Sequence, residues 1–394
     1  MINPTSSLWS GILFFGAAVT TAGWTAEPQF RAQTIDPDVA IGYGLAIGDI
    51  DGDHRADILL ADKRDIVWYR NPGDRDAVWP RHVMAHELTP QDNVCIAARD
   101  LDGDGRVEVA VGAGWNPGET TDPANSGAVF YLQRPADPTG RWRAHPLTPH
   151  DPTVHRMHWV RWGENRYRLL VLPLHGIGNQ QGEGAAVRVM AYDVPLDDPA
   201  ASRAEAVDQA MHMTHNFDLV LRDDAAGDLL WVAGREGIRR LTKDQASLEI
   251  AAVPERGAGE VRQAQTLSDL DLVAIEPMHG YEVVLYTPGD DGQWRRLVLD
   301  KSLNEGHALA AADFLGIGRD QIVAGWRRPN ADGRVGLRMY VPTESSEQWK
   351  TYTIDDNQMA CEDLKVVDLD GDGKPEIVAA GRATNNLVIY WNEG

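Results

Sequence analysis

The chain is written in short runs that alternate apolar and polar positions. Seven of them recur at intervals: 66–73 (IVWYRNPG), 129–135 (VFYLQRP), 188–195 (RVMAYDVP), 237–243 (GIRRLTK), 283–289 (VVLYTPG), 337–343 (LRMYVPT) and 387–394 (LVIYWNEG). Each is bounded by Gly, Pro, Asp or a charged residue. A period of two over so short a length predicts strands, not helices. Before each run stands an apolar stretch such as EIVAAG (376–381), and after many comes a segment opening on Trp79, Trp142, Trp294 or Trp349. Counting the short strand that opens each unit gives four strands at spacings of roughly 40–55 residues, the signature of β-propeller blades.

The last aromatic run ends the chain, so its blade lacks a fourth strand. The segment 29–35 (QFRAQTI) is patterned like 349–354 (WKTYTI) and supplies it. The expectation is an all-β, seven-bladed β-propeller with four-stranded blades. The N-terminal strand completes the last blade and closes the ring, which removes exposed sheet edges. One domain then covers 27–394.

Composition adds two constraints. With 394 residues and 43% hydrophobic content a large core is available. The net charge of −22 argues against nucleic acid or an anionic membrane surface as partner. The stretch 8–19 (LWSGILFFGAAV) is too short to span a bilayer comfortably and precedes small residues at 20–22. It predicts a signal peptide over 1–26, cleaved near 22–26, and a secreted or periplasmic protein, although no Lys or Arg precedes it. Cys95 and Cys361 make no disulfide framework and read as small core residues.

Part of the acid excess lies in one recurring frame: DIDGDHRADILLA from Asp49, DLDGDGRVEVAVG from Asp100 and DLDGDGKPEIVAAG from Asp368. Asp49, Asp51, Asp53 and Asp57 are spaced to wrap a hard cation. So are Asp100, Asp102, Asp104 and Glu108, and Asp368, Asp370, Asp372 and Glu376. Calcium or magnesium is expected, as a structural ion in the turn. This loop inside a propeller blade resembles the FG-GAP/VCBS repeat class, a resemblance that implies the fold and says little of activity.

Blades three to six lose most of these acids, as in DFLGIGRDQIVAG from Asp313, and gather histidines instead. The repeat frame puts the start of each first strand, and the turn after each second strand, toward one mouth of the channel. Tyr43, His155, His215, His307 and Glu362 fall at the first level. Lys63, Trp115, His175, Arg235, Glu236, His279, Trp326, Arg327 and Arg382 fall at the second. His82, His86, His145 and His150 lie in outer strands or connections, and His158 and His212 are read as off the axis. Three neutral imidazoles with an open fourth position are the usual donor set of catalytic zinc.

The stretches VHRM (154–157), GREG (234–237), AIEPMHGYEVVLYT (274–287) and NEGHALAAADF (304–314) resemble the propeller domain of fungal aldos-2-ulose dehydratases. That resemblance implies a Zn2+ ion at the channel mouth, a keto-sugar substrate such as 1,5-anhydrofructose or glucosone, and a histidine moving protons as water is eliminated. The fungal enzymes carry cupin and further domains after the propeller, and reactions of such a site are not expected here. On this reading His215, His279 and His307 ligate zinc and His155 is the acid/base. His175, Arg235, Glu236, Tyr43 and Arg382 hold hydroxyls or an enolate, while Trp115 and Trp326 stack on the sugar. Two rival readings remain. One is a non-enzymatic, calcium-stabilised propeller binding glycans or proteins. The other is a polysaccharide lyase using calcium and basic residues, which the net charge disfavours.

Overall fold

A computed structural model of the chain describes residues 27–164, 166–251, 257–343, 345 and 348–394. Residues 1–26, over which a signal peptide is expected, lie outside the described residues. The strands group into seven antiparallel four-stranded sheets. In six of them four consecutive strands run outward from the axis. The first blade, for example, is Gly44–Gly48, Asp57–Ala61, Asp65–Tyr69 and Arg81–His86. In the seventh, Cys361–Val367, Glu376–Gly381 and Asn386–Asn392 are followed by the N-terminal strand Phe30–Asp36. That strand pairs antiparallel with the last one, from Phe30 opposite Asn392 to Asp36 opposite Leu387. The ring therefore closes between the two ends of the chain, as the sequence pattern implies.

The core lies between blades. Seven apolar clusters fill the seven blade–blade interfaces. The second and third strands are buried on both faces, so they read as continuous apolar runs with large fully buried rings such as Trp68, Trp231, Tyr340 and Trp391. Cys95 and Cys361 are free and buried in two of these clusters.

One polar position recurs in every blade at the start of the second strand. Asp57, Glu108, Arg168, Asp228, Asp271, Gln321 and Glu376 occupy it, and all are buried. In blades one, two, six and seven the side chain accepts a backbone N–H of its own turn, from Ile50, Leu101, Leu315 and Leu369. In blade five Asp271 accepts from the N–H of Leu267 and the hydroxyls of Thr266 and Ser268. Asp228 reaches back to the N–H of Arg161 in blade three. A buried N–H must find an acceptor. The frame thus persists where its metal-type acids do not, because the turn still has to be hydrogen-bonded.

The first acidic turn departs from the other two at His54, which has φ of 64° where Gly105 and Gly373 have 84° and 86°. A left-handed conformation is costly for a residue with a Cβ. His54→Gly is expected to stabilise the fold by about 0.5–1 kcal/mol, read as a small rise in thermal midpoint. An unchanged or lower midpoint would show that the turn carries no such strain.

Candidate metal centre

Four blades aim a polar side chain at the channel mouth by the same backbone device. The pairing of first and second strands shifts register at His155, His215, His307 and Glu362. An extra residue at such a bulge turns its side chain out of the sheet alternation. Blades one, two and five pair there without a shift. Blade five instead sends His279 from the turn after Asp271–Glu276, with its backbone in the left-handed region at φ of 52°. Gly259 makes room for the turn: a Cβ there would lie 3.1 Å from the backbone nitrogen of His279 and 3.7 Å from His215 Nδ1.

Main-chain carbonyls of the next blade orient these imidazoles. His155 Nδ1 donates to the His215 carbonyl at 2.7 Å, His215 Nδ1 to that of Gly259 at 2.9 Å, and His307 Nδ1 to that of Glu362 at 2.6 Å. A carbonyl only accepts, so the proton sits on Nδ1 and the Nε2 lone pair faces away. The ligating nitrogens of His215, His279 and His307 lie within 4.8 Å of one another. The Nε2 atoms of His215 and His279 are 2.6 Å apart. Tetrahedral zinc with bonds of about 2.0–2.1 Å holds its nitrogens about 3.3 Å apart. Ligation thus asks this pair to separate by less than about 1 Å, and the donor set fits. Burial, with help from the nearby Arg156 and Arg327 guanidinia, holds His215 and His307 well below the usual imidazole range. Burial and the neighbouring His215 bring His279 down to about 2. The three rings are therefore neutral near pH 7, the form in which imidazole binds a metal.

Around this cluster the expected site residues divide into groups. His155 lies beside it, with ring centroids 4.9 Å from His215, and Trp115 stacks on His155 at 5.0 Å. Arg156 Nη1 donates to His155 Nε2 at 3.2 Å. Burial and Arg156 hold the His155 imidazole well below its ordinary range. On blades six, seven and one, Arg327 and Arg382 both donate to the buried Glu362 carboxylate. Arg382 lies over the Tyr43 ring at 5.5 Å, and the Tyr43 hydroxyl donates to Asp92 at 3.3 Å. Burial raises the Tyr43 phenol to about 12. His175 is half-buried, and its Nδ1 has no hydrogen-bond partner among the described residues.

Two groups are placed elsewhere. Arg235 donates to the Gln181 carbonyl, and Glu236 accepts from the backbone and Nδ1 of His212. Arg235 thus ties down the loop around Gly182, and no described hydrogen bond or ion pair of either residue is with His155, His215, His279 or His307. Trp326 is a correction. It is 2% exposed, donates its indole N–H to the Arg334 carbonyl, carries Arg338 over its ring at 4.8 Å, and packs in the interface between blades five and six. No face of it is left for a sugar.

Sequence reasoning assigned no role to Arg156 or Glu260. Glu260 is fully buried, bonded by Asn216 Nδ2 at 2.7 Å, and its Oε1 lies 3.3 Å from His215 Nδ1. That hydrogen already goes to Gly259, so Oε1 has no donor. Arg156 directly follows His155, and Glu260 opens the first strand of blade five, where no histidine stands.

The acidic turns form three further clusters: Asp49, Asp51 and Asp53; Asp100, Asp102 and Glu108; Asp368, Asp370 and Glu376. Asp57, Asp104 and Asp372 fall outside them. Asp57 spends both oxygens on the N–H groups of Ile50 and Asn71, Asp104 is held by Arg106, and Asp372 by Lys374 N–H and Arg75. Glu376 is fully buried, its Oε2 accepts from the Leu369 N–H, and one of its carboxylate oxygens lies within 4.8 Å of oxygens of Asp368 and Asp370. Three carboxylates that close fit a hard cation. Burial, reinforced by neighbouring carboxylates, raises Asp57, Glu108 and Glu376 to about 7.

A carboxyl with a raised folded-state pKa favours folding below its unfolded value. That contribution is lost as pH rises through the folded value. Chelator-treated protein should therefore lose thermal stability between about pH 4.5 and 7, and millimolar calcium should restore it at pH 7 but not at pH 4.5. A calcium effect equal at both values would contradict cation binding by these acids.

Residues 49–111 match the family model described as an FG-GAP-like repeat. No curated protein matches the chain. The crystal structure of BBS1N in complex with ARL6DN, soaked with mercury, contains a similar chain at 14% identity and a TM-score of 0.56, covering 92% of this chain and 95% of that one. Its lead-soaked counterpart gives 12%, 0.56, 91% and 95%. The extracellular domain of BT4673 from B. thetaiotaomicron gives 11% and 0.52, covering 92% of this chain and 40% of that one. At these identities the likeness is one of fold alone.

Proposed function

We propose that the protein is an exported, zinc-dependent lyase that eliminates water from a keto-sugar or keto-glycoside at the channel mouth. The observation that carries this reading is the convergence of His215, His279 and His307. Two of the three, His215 and His307, are locked in the metal-binding tautomer by a carbonyl of the neighbouring blade. The exported location rests on the apolar segment 8–19 alone.

Bound there, zinc would polarise the ketone and so acidify the adjacent C–H. The remaining work falls to the chain. His155, next to the cluster, takes the α-proton. Its Nε2 accepts from Arg156, so the transfer asks that guanidinium to swing aside. His155 then passes a proton to the β-hydroxyl, which departs as water and leaves a C=C bond conjugated to the ketone. Trp115, stacked on His155, offers the sugar an aromatic face. Arg382 and Tyr43, held together over Glu362 and Asp92, present donors to hydroxyls or to the developing enolate.

The test is ultraviolet absorbance of the enone formed from 1,5-anhydrofructose or a 3-keto-glucoside, with purified zinc-loaded protein. Turnover is expected in the wild type, a loss of about 10²–10⁴-fold in His155→Ala, and background rates in His307→Ala. Zinc retained in His155→Ala and absent from His307→Ala would separate the two roles. A zinc-loaded protein that binds these sugars unchanged would favour the glycan-binding propeller. Activity that survives His307→Ala would contradict the metal role.

A further inference from the structure

Three neutral imidazoles bring no negative charge to a divalent cation, and the guanidinia of Arg156 and Arg327 stand close enough to disfavour positive charge at His215 and His307. Burying a cation there without an anion is costly. The Glu362 carboxylate is already bound by Arg327 and Arg382. Glu260 is different. It is fully buried, and among the described residues its Oε1 has no donor and lies 3.3 Å from His215 Nδ1. None of His155, His279 and His307 has a carboxylate within ion-pair distance among the described residues.

Two neighbouring blades hold Glu260 in this place. It opens the strand Glu260–Ala264 of blade five, directly after Gly259, whose carbonyl takes the His215 N–H. From blade four Asn216, the residue after His215, donates Nδ2 to Glu260 Oε2 at 2.7 Å. Arg262 Nη2 lies 3.3 Å from the same oxygen, and its guanidinium is shared with the Val261 carbonyl and Asp218. Both partners meet Oε2, which leaves Oε1 beside the imidazole. Burial raises this carboxyl, while Arg262, Arg156 and the Asn216 amide lower it. A buried acceptor without a donor is destabilising, and a cation on Nε2 of the same ring would offset that cost through the imidazole.

We infer that Glu260 is a positioning residue of the metal centre, an inference that rests on the zinc reading of the three imidazoles. Its Oε1 is a second acceptor for the His215 Nδ1–H, and its carboxylate is the buried negative charge that balances a divalent cation among neutral ligands. With acceptors at 2.9 Å and 3.3 Å, the N–H stays bonded while the ring makes the small movement that ligation asks of it. A carboxylate partner of this kind strengthens the opposite nitrogen as a donor to metal. Arg262 opposes the effect, because it holds part of the same negative charge.

Zinc titration of the metal-stripped full chain against a chromogenic chelator tests this, in millimolar calcium so that the acidic turns are filled. The wild type is expected to take up about one zinc per chain. Glu260→Gln keeps the shape and removes the charge, and should weaken zinc about 10–100-fold. Arg262→Gln removes the guanidinium that competes for Glu260, and should tighten zinc severalfold, a sign that lost packing would not produce. If Glu260→Gln does not fold without metal, as read by thermal melting, the sign in Arg262→Gln decides. Zinc affinity unchanged in Glu260→Gln, or not raised in Arg262→Gln, would overturn the inference and leave the zinc reading standing. A wild-type chain that takes up no zinc would overturn both.

Discussion

The site depends on one kind of hydrogen bond: an imidazole N–H on one blade given to a main-chain carbonyl of the next. His155 gives to blade four, His215 to blade five and His307 to blade seven. These bonds fix which nitrogen carries the proton, and so where each lone pair points. They also join the first strands of neighbouring blades, alongside bonds such as Asn216 to Glu260 and Gln263 N–H to Asp218. The imidazoles cannot be oriented unless the blades are in register, and the blades reach register only when the ring is closed. The pairing of Phe30–Asp36 with the last strand is in this sense part of what orients the imidazole cluster.

The ring divides its labour. Blades one, two and seven carry acidic turns whose buried carboxyls are pushed toward neutrality unless a cation relieves them. In blades three to six the same position is held by Asp228, which takes the Arg161 N–H of blade three, by Asp271 and Gln321, which accept in their own turns, and by Arg168, which instead donates to Asp193 and Glu205. These blades, which lack most of the turn acids, carry all four of the clustered histidines. Bulges at His155, His215 and His307 provide the aim, and the left-handed turn at His279 provides the fourth direction.

Most of the fold was legible because its cause is local. Alternation marks strands, Gly and Asp mark turns, and the repeat counts blades. Even ring closure could be read, since Phe30–Asp36 carries the pattern of an outermost strand. The phase of the histidines was legible for the same reason, and the structure brings His215, His279 and His307 together. What was not legible depends on contacts between blades. Trp326 sits in phase with the mouth, yet its ring turns into the interface beneath Arg338. Asp57 has the spacing of a ligand, yet its oxygens are consumed by two backbone N–H groups. Arg235 and Glu236 have the right register, yet they are drawn to Gln181 and His212. Spacing fixes where a side chain starts, and neighbours from other blades decide where it ends.

X-ray absorption at the zinc edge, on stoichiometrically loaded full-length protein, tests the central claim most directly. Three imidazole nitrogens and one light atom at about 2.0–2.1 Å, reduced to fewer imidazoles in His279→Ala, is the predicted result. Zinc bound only by oxygen, or an unchanged spectrum in His279→Ala, would contradict it.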